Sequence, residues 1–206
     1  MKRKYMRKIL TASSVILLLA IGSSAAFFTD MGSVTNSFTV GNISILLEEP
    51  GWEPENGKDI TPNETIAKDP RITNDGANEA YVFMKVKLPT AVIKTAGPDG
   101  SLNAAAKHEL FSYDVKEGWV QVERKTEADK AVYVYAYVGD DGNMKGLEPG
   151  SATGPVFESV TFINAVEGQI EDDLLTIDVD AMGIQTGDIK SRSPADVYSL
   201  LNNGSM

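Results

Sequence analysis

The sequence predicts an all-β fold, a sandwich or a barrel of short antiparallel strands with one or two short helices. Several segments alternate apolar residues with polar or aromatic ones, which is the pattern of strands that bury one face. Turn-forming Gly, Pro, Asn and Asp separate these segments, and helical periodicity is scarce. Many short strands divided in this way are typical of β-sandwiches and β-barrels.

The predicted strands follow one another along most of the chain. Residues 80–88 and 175–181 each have an apolar face and a more polar face, as antiparallel strands with one wet side do. Residues 132–138 alternate Val and Ala with a row of three tyrosines. Further β-rich segments are residues 156–163, residues 34–47 with a bend at Gly41, and a short hairpin formed by residues 111–115 and 119–122.

One helix is clearly indicated near the C-terminus. Ser193 is a suitable N-cap, Pro194 fits the first helical position and Asp196 completes a capping-box pattern. The apolar side of this helix consists of Val197, Leu200 and Leu201. Residues 102–110 predict a second, weaker helix.

The N-terminal residues have the pattern of a secretory signal peptide. Five basic residues precede an apolar run, residues 9–21, which is too short to span a bilayer of about 30 Å as a helix. Ser24 and Ala26 fit the −3 and −1 positions of a cleavage site, which predicts a cut between Ala26 and Phe27. Residues 1–26 are then the signal peptide and residues 27–206 a single β-sandwich domain. An uncleaved N-terminal anchor is the alternative.

The composition restricts the partners of the exported chain. Removing the five basic residues of the signal peptide leaves 14 Lys and Arg against 29 Asp and Glu, a formal charge of −15. Such a chain repels nucleic acid, and it contacts the membrane only through the signal peptide before cleavage. The chain has no Cys, so its core rather than disulfides or thiolate metal sites must hold it together.

Several motifs occur in the same order as in one known family. They are residues 26–30 (Ala-Phe-Phe-Thr-Asp), 36–43 (Asn-Ser-Phe-Thr-Val-Gly-Asn-Ile), 69–76, 80–86, 155–161 and 181–186. Through them the chain resembles the TasA/camelysin family of secreted proteins of Gram-positive bacteria. The resemblance implies a jelly-roll β-sandwich, a dedicated signal peptidase of the endoplasmic-reticulum type as a partner, and a role in the biofilm matrix or at the cell surface.

The resemblance also implies self-association, because some relatives polymerise into fibres by adding the N-terminal strand of one subunit to the next. Residues 27–47 suit such a role, since they carry few charges and many apolar side chains. The candidate assembly residues are Phe27, Phe28, Val34, Phe38, Val40, Ile43, Ile45 and Leu47. An ordinary first strand packed in its own sandwich is the alternative, and both can hold if the strand exchanges between subunits. The predicted partners are therefore other copies of the chain or related matrix subunits.

Catalytic chemistry finds little support in the sequence. Camelysin-type relatives are described as metalloproteases, and helical zinc proteases need two His four residues apart. Here His108-Glu109 is followed by Leu110, Phe111 and Ser112, and His108 is the only His in the chain. We therefore predict no catalytic, cofactor-binding or metal-binding residues and no enzymatic activity.

Three alternatives stay open at this point. Residues 140–143 (Asp-Asp-Gly-Asn) could supply oxygen ligands to calcium, although a plain turn explains them as well. The tyrosine row of residues 132–138 could form an aromatic platform in a cell-wall or glycan-binding module, or simply pack across strands. A camelysin-like secreted protease is the third alternative to the predicted structural protein of the matrix or cell surface.

Overall fold

The computed structural model describes residues 43–170 and 175–203, and these contain ten strands, one 3-10 helix and one α-helix. The strands are β1 (Ile45–Glu48), β2 (Thr65–Ala67), β3 (Arg71–Asn74), β4 (Ala80–Ile93), β5 (Ala106–Glu109), β6 (Phe111–Ser112), β7 (Trp119–Glu127), β8 (Lys130–Tyr137), β9 (Ser159–Phe162) and β10 (Asp178–Gln185). The 3-10 helix is Pro54–Gly57, and the α-helix, α1, is Pro194–Asn203.

The strands form antiparallel sheets, which confirms the predicted all-β sandwich. The largest sheet has the order β10-β4-β8-β7, with β5 added to the far end of β4. A three-stranded sheet has the order β2-β9-β6, and β1 pairs with β3. Because β4 is 14 residues long, it pairs with β8 as far as Pro89 and then continues against β5 from Thr90 to Ile93.

The main core lies on the inner face of the large sheet. Alternate residues of β4 fill it, as the period-two pattern predicts. They meet apolar side chains from the other strands and loops, such as Ile72, Phe157 and Phe162. Val179 and Ala181 of β10 complete this face.

The outer face of β4 is buried as well in its first half, which corrects the prediction of one wet side. Tyr81 is 7% exposed and Phe83 is fully buried. Helix α1 covers them with Val197 and Leu201, in a second apolar cluster. The predicted helix at Pro194 is confirmed, and it is the element that makes this face dry.

Two other predictions were wrong. Residues 102–110 are not a helix, because their second half forms β5 along the extended end of β4. Residues 111–115 and 119–122 do not form a hairpin. Phe111 and Ser112 pair with β9, whereas β7 pairs with β8 in the opposite sheet. Pairing with strands from other parts of the chain outweighs local propensity in both places.

Candidate functional site

The first described strand, β1, is where the candidate assembly segment joins the body of the protein. β1 pairs with β3 in the register Ile45 to Asn74. Ile43 and Ile45 are 6% and 5% exposed and belong to the main core. Leu47 is half-buried against the same core, whereas Leu46 points outward. This end of the predicted assembly strand thus packs in its own sandwich.

The remaining residues of that prediction lie outside the described part of the chain. They are Ala26 and Phe27 of the predicted cleavage site, and Phe28, Val34, Phe38 and Val40 of the predicted assembly strand.

A tight turn encloses the start of this segment. The backbone N–H of Asp75 donates to the carbonyl of Ser44 at 2.9 Å. A Cβ atom at Gly76 would lie 2.6 Å from the backbone nitrogen of Ser44, so only glycine allows these two segments of the chain to lie this close. The fully buried Asn74 holds the turn, since its side chain accepts from the N–H of Gly76 at 3.0 Å.

A second glycine, Gly183 of β10, packs against the side chains of Ile43 and Ile45. A Cβ atom at Gly183 of β10 would lie 3.3 Å from Cδ1 of Ile45 and 3.5 Å from Cδ1 of Ile43. The missing side chain therefore leaves a slot on β10 that the two isoleucines fill. A glycine inside a strand often marks such a close approach, which is the signal in the sequence that our prediction did not use.

Ion pairs fix the segment that follows β1. Lys68 is 7% exposed, and its Nζ lies 2.8 Å from Oε2 of Glu49 and 4.7 Å from the ring of Trp52. The carboxylate of Asp69 accepts from the N–H of Gly51 at 2.6 Å and binds Arg71 at 2.6 Å. β1 is thus held at its start by two glycine contacts and at its end by buried or half-buried charges.

His108 lies in β5 rather than near the end of a helix. It is half-buried, and its Nε2 atom is buried without a hydrogen-bond partner. The neighbouring Glu109 accepts from the hydroxyl of Tyr133 at 2.7 Å and from Arg124 at 2.9 Å. Residues 43–170 and 175–203 contain no group of three or more His, Cys, Asp or Glu side chains that could hold a metal ion. The donors present at His108 do not fit a His-based zinc site, because strand geometry separates His108 and Glu109 onto opposite faces.

The tyrosine row faces the core rather than solvent. Tyr135 is 3% exposed, and its hydroxyl lies 2.9 Å from that of Tyr113. Tyr133 and Tyr137 are half-buried against the same core. Burial raises the pKa of Tyr113, Tyr135 and Tyr133 above the usual range. The row therefore packs between the sheets and does not present an aromatic platform for glycan.

The candidate calcium loop is a turn closed by its own side chains. The carboxylate of Asp141 accepts from both the backbone N–H and the side-chain amide of Asn143, each at 3.0 Å. These hydrogen bonds, that from the side chain first, lower the pKa of Asp141. On β10, the carboxylates of Asp178 and Asp180 pair with Lys130 and Lys87. Neither set of carboxylates converges on a cleft.

Comparison with protein-family models gives a match. The family model described as camelysin metallo-endopeptidase matches residues 1–108, which is more than half of the chain. No curated protein and no solved structure matches. Within the residues that the structure describes, no helix is long and apolar enough to cross a membrane. The motifs of residues 155–161 and 181–186 lie beyond the matched range, whereas the other four lie within it. The chain therefore belongs to the camelysin metallo-endopeptidase family, the TasA/camelysin family that its motifs predict.

Proposed function

We propose that the protein is a secreted structural component of the extracellular matrix or cell surface, and that it assembles through its N-terminal segment. Membership of the TasA/camelysin family supports secretion and a surface role. The observation that favours assembly is the anchoring of β1. Ile43 and Ile45 fill the slot at Gly183, so the apolar residues before them continue from a firmly fixed strand.

The anchoring divides the assembly strand into two parts with different tasks. Ile43, Ile45 and Leu47 stay in the core of their own subunit. Residues 27–42 supply the strand that adds to a sheet edge of the next subunit. Main-chain hydrogen bonds give this contact its affinity, and alternate side chains such as Phe38 and Val40 set its register. Export precedes assembly in this scheme, because cleavage by the signal peptidase frees Phe27.

The test compares three forms of the secreted protein by electron microscopy and size-exclusion chromatography. The form that begins at Phe27 is expected to give fibres. One extra residue before Phe27 blocks the freed terminus, and deletion of residues 27–42 removes the added strand while it leaves Ile43 and Ile45 in the core. Both changed forms are expected to stay monomeric. Fibres from the deletion form, or monomers from all three, would contradict the proposal. Sequencing the N-terminus of the exported protein checks the cut between Ala26 and Phe27.

A secreted metalloprotease is the second candidate, because the matched family carries that description. The side chains at His108 do not support it, since Glu109 is engaged by Tyr133 and Arg124. Casein hydrolysis with and without added zinc decides between the two functions. Turnover that depends on zinc and disappears in His108→Ala would establish the protease and overturn the structural assignment.

A further inference from the structure

β5 is a short strand that pairs on one side only. Among the described residues its partner is the end of β4, in the register Ala91 to His108. Ala106 and Lys107 are exposed, and so are Ala104 and Ala105 just before them. Residues 104–106 carry only methyl side chains, and the Nζ of Lys107 donates to the carbonyl of Ala128 at 3.1 Å. An unprotected edge is a template for pairing with a further strand.

The hydrogen bonds of β5 show which backbone groups point away from β4. The N–H of Leu110 donates to the carbonyl of Pro89 at 2.9 Å, so Leu110 faces β4. Because backbone groups alternate in direction along an antiparallel strand, the N–H and C=O of His108 also point toward β4. The N–H and C=O of Lys107 and Glu109 point away from β4. Thr90, which lies opposite Glu109, agrees with this, because its N–H donates to Asp129 on the other side of β4 at 2.6 Å.

The outward groups are self-complementary about a twofold axis. If a second β5 pairs antiparallel with the first and is centred on His108, Lys107 faces Glu109 of the second copy, and Glu109 faces its Lys107. Each of these two pairs exchanges both backbone hydrogen bonds, because both residues point outward. Residues of opposite charge are then directly opposite each other in the two strands, and no residues of like charge are. The two His108 residues form the non-hydrogen-bonded pair at the centre.

We infer that the free edge of β5 is a docking surface for β5 of a second copy of this chain, in a twofold antiparallel pair centred on His108. Tyr133 and Arg124 contact the carboxylate of Glu109 within its own subunit, and Lys107 of the second copy adds a further cation beside it. Four residues on each side form a small interface, so the contact is weak and transient by itself. It does not involve residues 27–47 and is independent of N-terminal assembly.

Single cysteines provide the test, because the chain has none. In His108→Cys the two sulfurs sit in a non-hydrogen-bonded pair with Cα atoms about 4.5 Å apart, within the range of a disulfide. The exported full chain is incubated in a glutathione redox buffer, and the disulfide-linked dimer is measured by mass spectrometry. The matched control is Glu117→Cys, an exposed position in the turn before β7 rather than on the edge of a strand. Random collision favours the exposed control, whereas the inferred pair favours position 108.

A third variant separates pairing from collision. Lys107→Pro in the His108→Cys background deletes an outward N–H and leaves the hydrogen bonds to β4 in place, as proline on an edge strand allows. We expect linkage at position 108 to slow by about tenfold. Lys107→Glu, which sets like charges opposite each other, is expected to act in the same direction and serves if the proline variant does not fold. Linkage at position 108 no faster than at position 117, or unchanged by both substitutions at Lys107, would overturn the inference.

Discussion

Gly76 and Gly183 determine how closely the segment before β1 packs against the body of the protein. Gly76 has no space for a Cβ atom because of the backbone of Ser44, whereas a Cβ atom at Gly183 would make a tight contact of 3.3 Å with Cδ1 of Ile45. At this scale the fit depends on single atoms, since packed interiors leave few voids.

Gly183→Val is expected to lower the free energy of unfolding by about 1–3 kcal/mol, because the added side chain enters space that the two isoleucines occupy. Urea unfolding measures the change. Gly154→Val is the matched control, since nothing lies within 4 Å of a Cβ atom there. Equal effects of the two substitutions would show that the slot at Gly183 is not under packing constraint.

The buried tyrosines make the stability of the fold pH-dependent in the alkaline range. Burial is the main reason why the pKa values of Tyr113, Tyr135 and Tyr133 are raised, so the folded protein keeps these phenols protonated where the unfolded chain ionises. Their contribution to the free energy of unfolding is fully present below the pKa of about 10 in the unfolded chain, and it is lost as the pH rises above that value.

We therefore expect the urea midpoint to fall between about pH 9 and pH 11. Tyr113→Phe removes one of these groups and is expected to make the fall shallower. An identical pH dependence in the two proteins would refute a role for Tyr113.

At the scale of elements, α1 decides whether the outer face of the large sheet is solvent-exposed or buried. Its ring contact between Tyr198 and Phe83 has a centroid distance of 5.5 Å, and Val197 is fully buried. The helix itself is short, so its stability comes from this packing rather than from propensity.

Two adjacent leucines of α1 test that view. Leu201 is 5% exposed and Leu200 is 47% exposed. Leu201→Ala is expected to cost about 2–4 kcal/mol in the free energy of unfolding, and Leu200→Ala less than about 0.5 kcal/mol. Circular dichroism during urea unfolding measures both. Similar costs would mean that the helix does not dock through the side that contains Leu201.

The sequence pattern predicted elements best where periodicity is long. Residues 80–88 fall within β4, and the capping pattern at Ser193 to Asp196 marks the start of α1. It failed at β5, where the alanines of residues 104–106 favour a helix but the end of β4 offers hydrogen bonds to a strand. The tyrosine row was placed on a strand correctly, but which face meets the core depends on Tyr113 and Phe157 from distant parts of the chain.

At the scale of the whole molecule, charge opposes assembly. The chain from Phe27 onward carries a formal charge of −15, so its copies repel one another at low ionic strength. Salt screens this repulsion, with a Debye length of about 30 Å at 0.01 M and about 8 Å at 0.15 M.

We expect fibres of the form that begins at Phe27 to appear sooner as sodium chloride rises from about 0.01 M to about 0.15 M. Light scattering over time measures the onset, and the form without residues 27–42 controls for salt-induced precipitation. A slower onset at higher salt would indicate that attraction between opposite charges, rather than apolar strand addition, drives the assembly.

The sequence by itself determined the fold class, the family and the apolar character of residues 27–47, because these depend on local periodicity, turn residues and motifs. Only the tertiary structure decided that Ile43 and Ile45 fill a slot at Gly183, that the tyrosines face inward and that β5 leaves an edge unpaired among the described residues. The reason is physical. Local preferences fix whether a segment is a strand, whereas its neighbours and its buried face follow from contacts between residues far apart in the chain.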